Sequence, residues 1–478
     1  MNKKIRYTAI VTIIVIALIT LIFHYTPHII DALTREPVPE YGIRISIWRV
    51  LFEPILGVML YLNRSLYPLD EIVYFLLWLL IFMAIYGVYN TLTSKGSKGA
   101  MTGRQLANFP IIVGLMFTFF VLLIFIPLPN NTIENHKPNS VLVTTHTHTE
   151  YSHDGLMSQR RLWKWHKRNG FNAFFITDHN NHDHTLDFVH AQRDGKFPME
   201  PLVMCGEEFS GTNHLSLLGL KRNFSTRGFS DSTAIDSTRA NGGAVIVNHW
   251  FDGEHMTLEY YKNLGVDGFE IENTAQERTY DRGVYIRIKD FCTRNQLILI
   301  GGLDFHGYGN VCSLWNAFEI PGWHQMDPNA KEASILKIIR DRDQNKVRVL
   351  LYKDRPYYPP GHLFIRPFVT VFNYFRTLNV YQVISWAVWI GLFSLIMSRF
   401  NNNPALKEKF APRKVIPVKG IISAWFLLGL GVFYYFKSKE LAGTDNDIYI
   451  EYSALLFYIG SVFFLYSAII AYFRIFRK

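Results

Sequence analysis

The sequence predicts an α/β domain held between two groups of membrane-spanning helices. Three observations predict it. Charge-free apolar stretches fill both ends of the 478-residue chain and leave a polar middle. Within that middle, short β-rich apolar runs alternate with amphipathic helical patterns, as in a parallel α/β sheet or barrel. Several of the runs end in histidine or a carboxylate, and in a barrel the chemistry collects at the C-terminal ends of the strands.

The apolar stretches are Tyr7 to Phe23, Ile72 to Ser94, Gln105 to Ile133, Thr377 to Ser398, Gly420 to Phe436 and Tyr452 to Phe473. Each approaches or exceeds the ~20 residues that cross a bilayer core as helix, which gives six spans, three on either side of the middle. The first follows Met-Asn-Lys-Lys-Ile-Arg with no small-x-small cleavage site behind it, so it reads as an uncleaved anchor rather than a signal peptide. Ser46 to Leu62 is also apolar, but it carries Arg49, Glu53 and Pro54 and reads as an interfacial or re-entrant helix rather than a seventh span. The chain thus divides into a membrane region over residues 1–133, a domain over 134–376 with its own C-terminal extension, and a second membrane region over 377–478.

Charge orients this arrangement. With the N-terminus inside, the inside segments Met1 to Arg6, Thr93 to Arg104, Arg399 to Lys419 and Arg474 to Lys478 carry +3, +3, +5 and +3, together +14 against +10 for the whole chain. Positive loops stay in the cytoplasm, so the middle domain is expected outside it. Pro129 to Arg376 is neutral overall, which removes the electrostatic footprint that nucleic-acid binding requires. The basic loops suit the anionic inner leaflet instead. Cys205, Cys292 and Cys312 have no zinc-finger spacing and cannot form a complete disulfide framework, so all three are expected as small buried residues, a single disulfide being the competing possibility.

After a polar linker, Pro129 to Ser140, strands are predicted at Val141 to Thr145, Ala173 to Thr177, Leu202 to Cys205, Leu215 to Leu220, Ala244 to Asn248, Gly268 to Ile271 and Leu297 to Gly302. Helical patterns at Ser158 to Asn169, Ser232 to Asn241 and Arg282 to Asn295 lie between them. The first strand ends in His146 and His148, and residues two apart on a strand share a side, so two imidazoles converge. Asp154 follows past a loop and can fold back to the same point. Asp178 and His179 close the second strand, Glu207 and Glu208 the third, and His249 the fifth, while His214 opens the fourth and Asp304 and His306 follow the last. Each has a bland alternative as a cap, a turn or a solvated side chain. Together they would be a costly concentration of charge unless cations occupied it.

His146-Thr-His148, Thr177-Asp178-His179, Gly206-Glu207-Glu208, His214, His249 and Asp304-Phe-His306 resemble the successive motifs of the polymerase and histidinol phosphatase (PHP) family of metal-dependent phosphoesterases. The resemblance covers about Val141 to Trp323. It implies a distorted (β/α)7 barrel holding two or three divalent ions. It implies that His146, His148, Glu208 and Asp304 hold one ion, that Glu208 bridges to a second taking His214 and His249, and that Asp154, His179 and His306 hold a third. The family pattern of Gly, any residue, Glu, apolar, Ser favours Glu208 over Glu207 as the bridge. Trp250 stands where the family often has proline and Phe305 where it often has serine, which is expected to reshape the pocket rim.

Clustered ions of this kind suit hydrolysis of a phosphate ester by a metal-activated hydroxide. The residues expected to carry the reaction are Glu208, Asp304, His249 and Arg278, with Arg278 and Arg282 as candidates for gripping the phosphate and a solvated helix face as their alternative. Zinc is the first expectation, with manganese or iron also compatible with mixed imidazole and carboxylate ligands. Confinement at the membrane favours a lipid-linked or envelope phosphate ester, a small extracellular phosphomonoester being the alternative. The rival function is a non-catalytic metal- or ligand-binding scaffold or sensor. A transport role has little support because the spans carry few internal ionisable residues.

Overall fold

The structure is a computed structural model that describes residues 3–62, 69–93, 98–252, 256–274, 282–309, 311–356, 364–409, 412–444 and 446–476. Its strands are β1 (His28–Asp31), β2 (Tyr41–Arg44), β3 (Thr132–Asn135), β4 (Ser140–Thr144), β5 (Ala173–Ile176), β6 (Leu202–Ser210), β7 (His214–Leu218), β8 (Ala244–Val247), β9 (Gly268–Asn273), β10 (Ile298–Gly302), β11 (Leu314–Glu319) and β12 (Val347–Lys353). Ten of them form one sheet in the order β1-β12-β11-β4-β5-β6-β7-β8-β9-β10, while β2 and β3 pair separately.

All seven predicted strands are present, as β4 to β10. The three predicted helices form at Gln159–Arg168, Asp231–Ala240 and Arg282–Asn295. The first is delimited by Ser158 before it and Asn169 after it, and it buries Leu162, Trp163 and Trp165 while turning its basic side chains outward. The series is not wholly parallel. Only residues 211–213 separate β6 from β7, too few for a crossover helix, so β7 returns antiparallel to β6 and to β8. Beyond β4 the sheet continues through antiparallel β11, β12 and β1. Strand β1 comes from the loop between the first two apolar stretches, within the segment 1–133 expected as a membrane region.

Period-two alternation divides the strand residues into two cores. Val141, Phe175, Met204, Ile246, Ile300 and Phe318 share one, sealed by Ile335 and Ile339 of helix Pro328–Arg340. Their sequence neighbours Leu142, Phe174, Val203, Val245 and Leu299 face the covering helices. Because adjacent strands of a twisted sheet rotate steadily, the first set lines the concave face of a curled half-barrel. Side chains join its edges where ladder bonds are missing. The Asn316 amide donates to the Gly301 carbonyl at 2.8 Å and accepts the Gly301 N–H at 2.7 Å. Gln344 does the same for Leu299, at 3.2 and 2.7 Å. The segments beyond β4 and β10 meet directly, with Asp304 N–H donating to the His146 carbonyl at 3.0 Å and His148 N–H to the Phe305 carbonyl at 2.9 Å.

Outside the barrel, five helices among the described residues are long and apolar enough to cross a membrane: Lys3–Ile22, Ala107–Ile124, Val380–Asn401, Val415–Glu440 and Ile448–Arg474. The second of the six expected spans forms a helix, Leu69–Thr93, whose apolar described part is Tyr74–Tyr89. Lys3–Ile22 packs on Val380–Asn401, and helix Pro412–Glu440 packs on Ile448–Ala471 and Lys98–Phe125. Ser46 to Leu62 is a broken helix, Ile47–Leu51, Glu53–Gly57 and Val58–Leu62, in which buried Glu53 pairs with Arg49 and accepts the Tyr374 hydroxyl at 2.9 Å. All three cysteines are buried and free.

Candidate metal centre

On the concave face the alternation that places Leu202 and Met204 inward also brings Glu208 inward at the end of β6, opposite Glu207. Five imidazoles surround Glu208. Its Oε2 lies 3.1 Å from His146 Nε2, 3.1 Å from His148 Nε2 and 3.2 Å from His179 Nε2. Its Oε1 lies 3.1 Å from His214 Nδ1 and 3.2 Å from His249 Nε2. Asp304 Oδ1 stands 3.3 and 3.2 Å from the same His146 and His148 nitrogens, and Asp154 Oδ2 is 2.8 Å from His306 Nε2 and 3.5 Å from His179 Nε2.

The donor atoms fall into three overlapping groups, each within 4.8 Å: His146, His148, Glu208 and Asp304; His148, Asp154, His179 and His306; and His179, Glu208 and His214. The first matches the set expected for one ion. The second adds His148 to Asp154, His179 and His306. In the third, His179 joins Glu208 and His214, while His249 stands beside the same carboxylate oxygen. Glu208 therefore reaches two positions with its two oxygens, as a bridging ligand does.

Hydrogen bonding alone does not account for this geometry. The His146 Nδ1–H donates to Glu270 Oε1 at 2.8 Å, which leaves Nε2 as a bare lone pair. That lone pair points at His148 Nε2 only 3.1 Å away. Asp304 Oδ1 and His214 Nδ1, which faces Glu208 Oε1, are buried without a hydrogen-bond partner. Lone pairs and orphaned acceptors converging in a buried site fit divalent cations. Without cations, protons take their place: burial opposes the His146 imidazolium, but Glu208, Asp304 and Glu270 override it and hold its pKa well above the usual range. His148 is likewise pushed up to about 10 against its burial by the Asp304 and Glu208 carboxylates beside it. Burial opposes ionisation of Asp304, yet His146 and His306 hold its carboxyl well below the usual carboxylate range.

Residues 144–265 match the family model of the PHP domain. The chain carries a PHP domain. No curated protein matches the chain. Among solved structures, a two-domain protein of Bacteroides vulgatus described as containing a predicted PHP-like metal-dependent phosphoesterase is similar at 18% identity, over 48% of this chain and 69% of that one, with a TM-score of 0.33. PsfC from Pseudomonas syringae is similar at 16% identity over 50% of this chain and 98% of its own, with a TM-score of 0.32. An amidohydrolase from Chromobacterium violaceum is similar at 12% identity over 40% and 96%, with a TM-score of 0.28. At such scores these likenesses carry no functional weight.

Two ligand candidates of the PHP domain have left-handed backbones, His249 at φ 24° and Asp304 at φ 49°. Non-glycine residues are held there at a cost of about 1–3 kcal/mol, a strain that concentrates at functional sites. Around the ligands stands a set of supports that the sequence did not single out. Glu270 is fully buried on β9; besides His146, it accepts the His249 N–H at 2.9 Å and the Asn273 amide at 3.1 Å. A Cβ on Gly302 would lie 2.0 Å from Glu270 Oε1, so only glycine fits beside it. Asn248 donates to Glu208 Oε1 at 2.8 Å and Asn273 to Asp304 Oδ2 at 3.2 Å. Asp178 tethers the ligand loop instead of joining the ligands, accepting the Thr149 N–H and hydroxyl at 2.5 and 2.7 Å.

Glu208 rather than Glu207 occupies the centre, as expected. Glu207 points away from the centre and holds His182 and Thr226. His153 is exposed beside Asp154, and His184 stacks on Tyr151. Arg278 lies outside the described residues; Arg282 is exposed on the first turn of its helix. Trp250 and Phe305 do not form a rim, because both are buried in the core between sheet and helices, Trp250 hydrogen-bonded to the Met256 carbonyl and Phe305 stacked on Trp165. The loop bearing Asp154 is held from the side of the C-terminal apolar helices. The Asn446 amide, in the connection between helices Pro412–Glu440 and Ile448–Ala471, donates to the carbonyls of Glu150, Ser152 and Gly155 at 2.8, 2.7 and 3.1 Å. Lys437 pairs with Glu150 at 3.1 Å, and the Tyr308 and Tyr452 hydroxyls meet at 2.8 Å.

Proposed function

We propose that this protein is a membrane-anchored phosphoesterase whose PHP domain hydrolyses a phosphate ester with two or three divalent ions, zinc first among them. The observation that carries it is Glu208 with five imidazole nitrogens at 3.1–3.2 Å, a bridging carboxylate inside a donor set that makes poor hydrogen bonds. Bound divalent ions would supply a water acidic enough to ionise near neutral pH and positive charge against the phosphoryl oxygens. The chain's own part is to prepare the donors. Glu270 fixes the His146 proton on Nδ1, Asn248 and Asn273 hold the Glu208 and Asp304 carboxylates by their second lone pairs, and Trp250 and Phe305 keep the support layer dry. His249, on the Oε1 side of Glu208 and outside the three donor groups, is placed to move a proton to the departing oxygen.

The charge distribution of the loops supports a domain outside the cytoplasm. Tethering by helices on both sides supports a lipid-linked or envelope phosphate ester as substrate. The decisive experiment is a hydrolysis screen of the full-length, detergent-purified protein loaded with zinc or manganese, setting phospholipid and lipid-carrier phosphates beside nucleotides, sugar phosphates and single-stranded DNA. Cleavage of a membrane ester is expected. Cleavage of DNA alone would refute the membrane substrate, and no hydrolysis, with a Glu208→Ala variant still supporting growth, would leave a non-catalytic scaffold or sensor.

A further inference from the structure

Helix Gln159–Arg168 carries Arg160, Arg161, Lys164, Lys167 and Arg168 and no acidic residue. All five are exposed, and among the described residues none is paired with a carboxylate. Four of them, Arg161, Lys164, Lys167 and Arg168, line a cavity of about 530 Å³ whose lining contains no acid. Its apolar walls include Ile124 and Pro127, and Ile124 is the last residue of the membrane-length apolar segment Ala107–Ile124. Arg161 also lines an adjoining cavity of about 360 Å³ at the end of the segment Val415–Glu440, with Leu430, Phe433, Lys437 and the Glu150 and Glu440 carboxylates that pair with Lys437. The cations therefore stand where two candidate spans leave their apolar stretches, at the level a lipid head group would occupy. A further observation fits an anion: partial burial of its side chain and the neighbouring Arg161 lower the pKa of the Arg168 guanidinium, as between like charges with no carboxylate beside them.

We propose that this cavity binds an anionic phospholipid, its phosphate held by Arg161, Lys164, Lys167 and Arg168 and its glycerol and upper acyl carbons against Ile124 and Pro127. A soluble anion would use the cations but leave the apolar wall without a role; a neutral lipid would do the reverse. The site is separate from the metal centre yet touches its support: Trp165 stacks on Phe305 at 4.0 Å between ring centroids, and Gly307, which follows His306, is in the lining. It does not depend on the domain being a hydrolase.

The test uses the full-length protein in nanodiscs of equal phosphatidylglycerol and phosphatidylcholine, released for native mass spectrometry, with metal content as a check of fold. The wild type is expected to retain phosphatidylglycerol at least fivefold over phosphatidylcholine, and Arg161→Gln/Lys164→Gln/Arg168→Gln to lose that preference with metal content unchanged. Lys164→Glu alone, at an exposed position, is expected to halve retention or more should the triple variant misfold. Equal retention of the two lipids by the wild type, undiminished retention by Lys164→Glu, or displacement of the lipid by millimolar inorganic phosphate would overturn the proposal, the last in favour of a soluble anion.

Discussion

Replacing Glu270 with glutamine keeps its size and removes one acceptor from a site that needs both. In the wild type, Oε1 takes the His146 Nδ1–H at 2.8 Å and Oε2 takes the His249 N–H at 2.9 Å. Glutamine has one oxygen and one NH2. If the oxygen faces His146, the NH2 meets the His249 N–H donor to donor, leaving a buried donor unsatisfied at a cost of about 1–3 kcal/mol. If the NH2 faces His146, it favours the tautomer with the proton on Nε2, the nitrogen that must be bare to bind an ion. Both orientations weaken the first ligand group. Loss of such a support typically costs about 10–100-fold in metal affinity, or roughly 1.4–2.7 kcal/mol. The assay is competition for zinc against a chromophoric chelator, with wild type and Glu270→Gln in the same detergent. A change of less than twofold in the tightest constant would refute the assignment of Glu270 as the group that sets the His146 proton.

Further outcomes test the remaining assignments. Elemental analysis of full-length protein prepared without chelator should find two or three transition ions per chain, and His148→Ala with Asp304→Ala should remove most of them. Glu208→Gln should abolish hydrolysis and lower metal content. Glu207→Gln, which disturbs only His182 and Thr226, should keep the metal and lower Tm by several degrees, from a loss of about 1–3 kcal/mol; equal effects of the two would mean that strand β6 is turned the other way. With the native cysteines buried, an impermeant thiol reagent should label Lys196→Cys in intact cells and leave Asn402→Cys unlabelled until lysis. Labelling of Asn402→Cys alone would invert the topology.

Much of the barrel and its ligands was legible because both depend on short-range periodicity. The two-residue spacing of His146 and His148 places both imidazoles on one side, although both stand past the end of β4, and runs such as Ala244 to Asn248 read as strands from their own composition. What was not legible depends on partners far apart in the chain. Strands β1, β11 and β12 extend the sheet antiparallel, and their place is settled by contacts such as Asn316 with Gly301. Glu270 was visible at a strand end, but only the curl of the sheet brings it beneath His146. Trp250 and Phe305, expected at the pocket rim, are buried in the core; a sequence gives a residue's position in the chain and not the side toward which a loop turns it.

The grip of Asn446 on the loop over residues 150–155 bears on how this protein can be handled in the laboratory. A water-soluble fragment ending near residue 376 would retain every metal ligand and still lack the amide that three of that loop's carbonyls share, along with Lys437 and Tyr452. The ligand with least to hold it in such a fragment would be Asp154, and with it the group that includes His306. An excised domain that binds fewer ions than the intact chain, or none tightly, would therefore describe the cut rather than the protein.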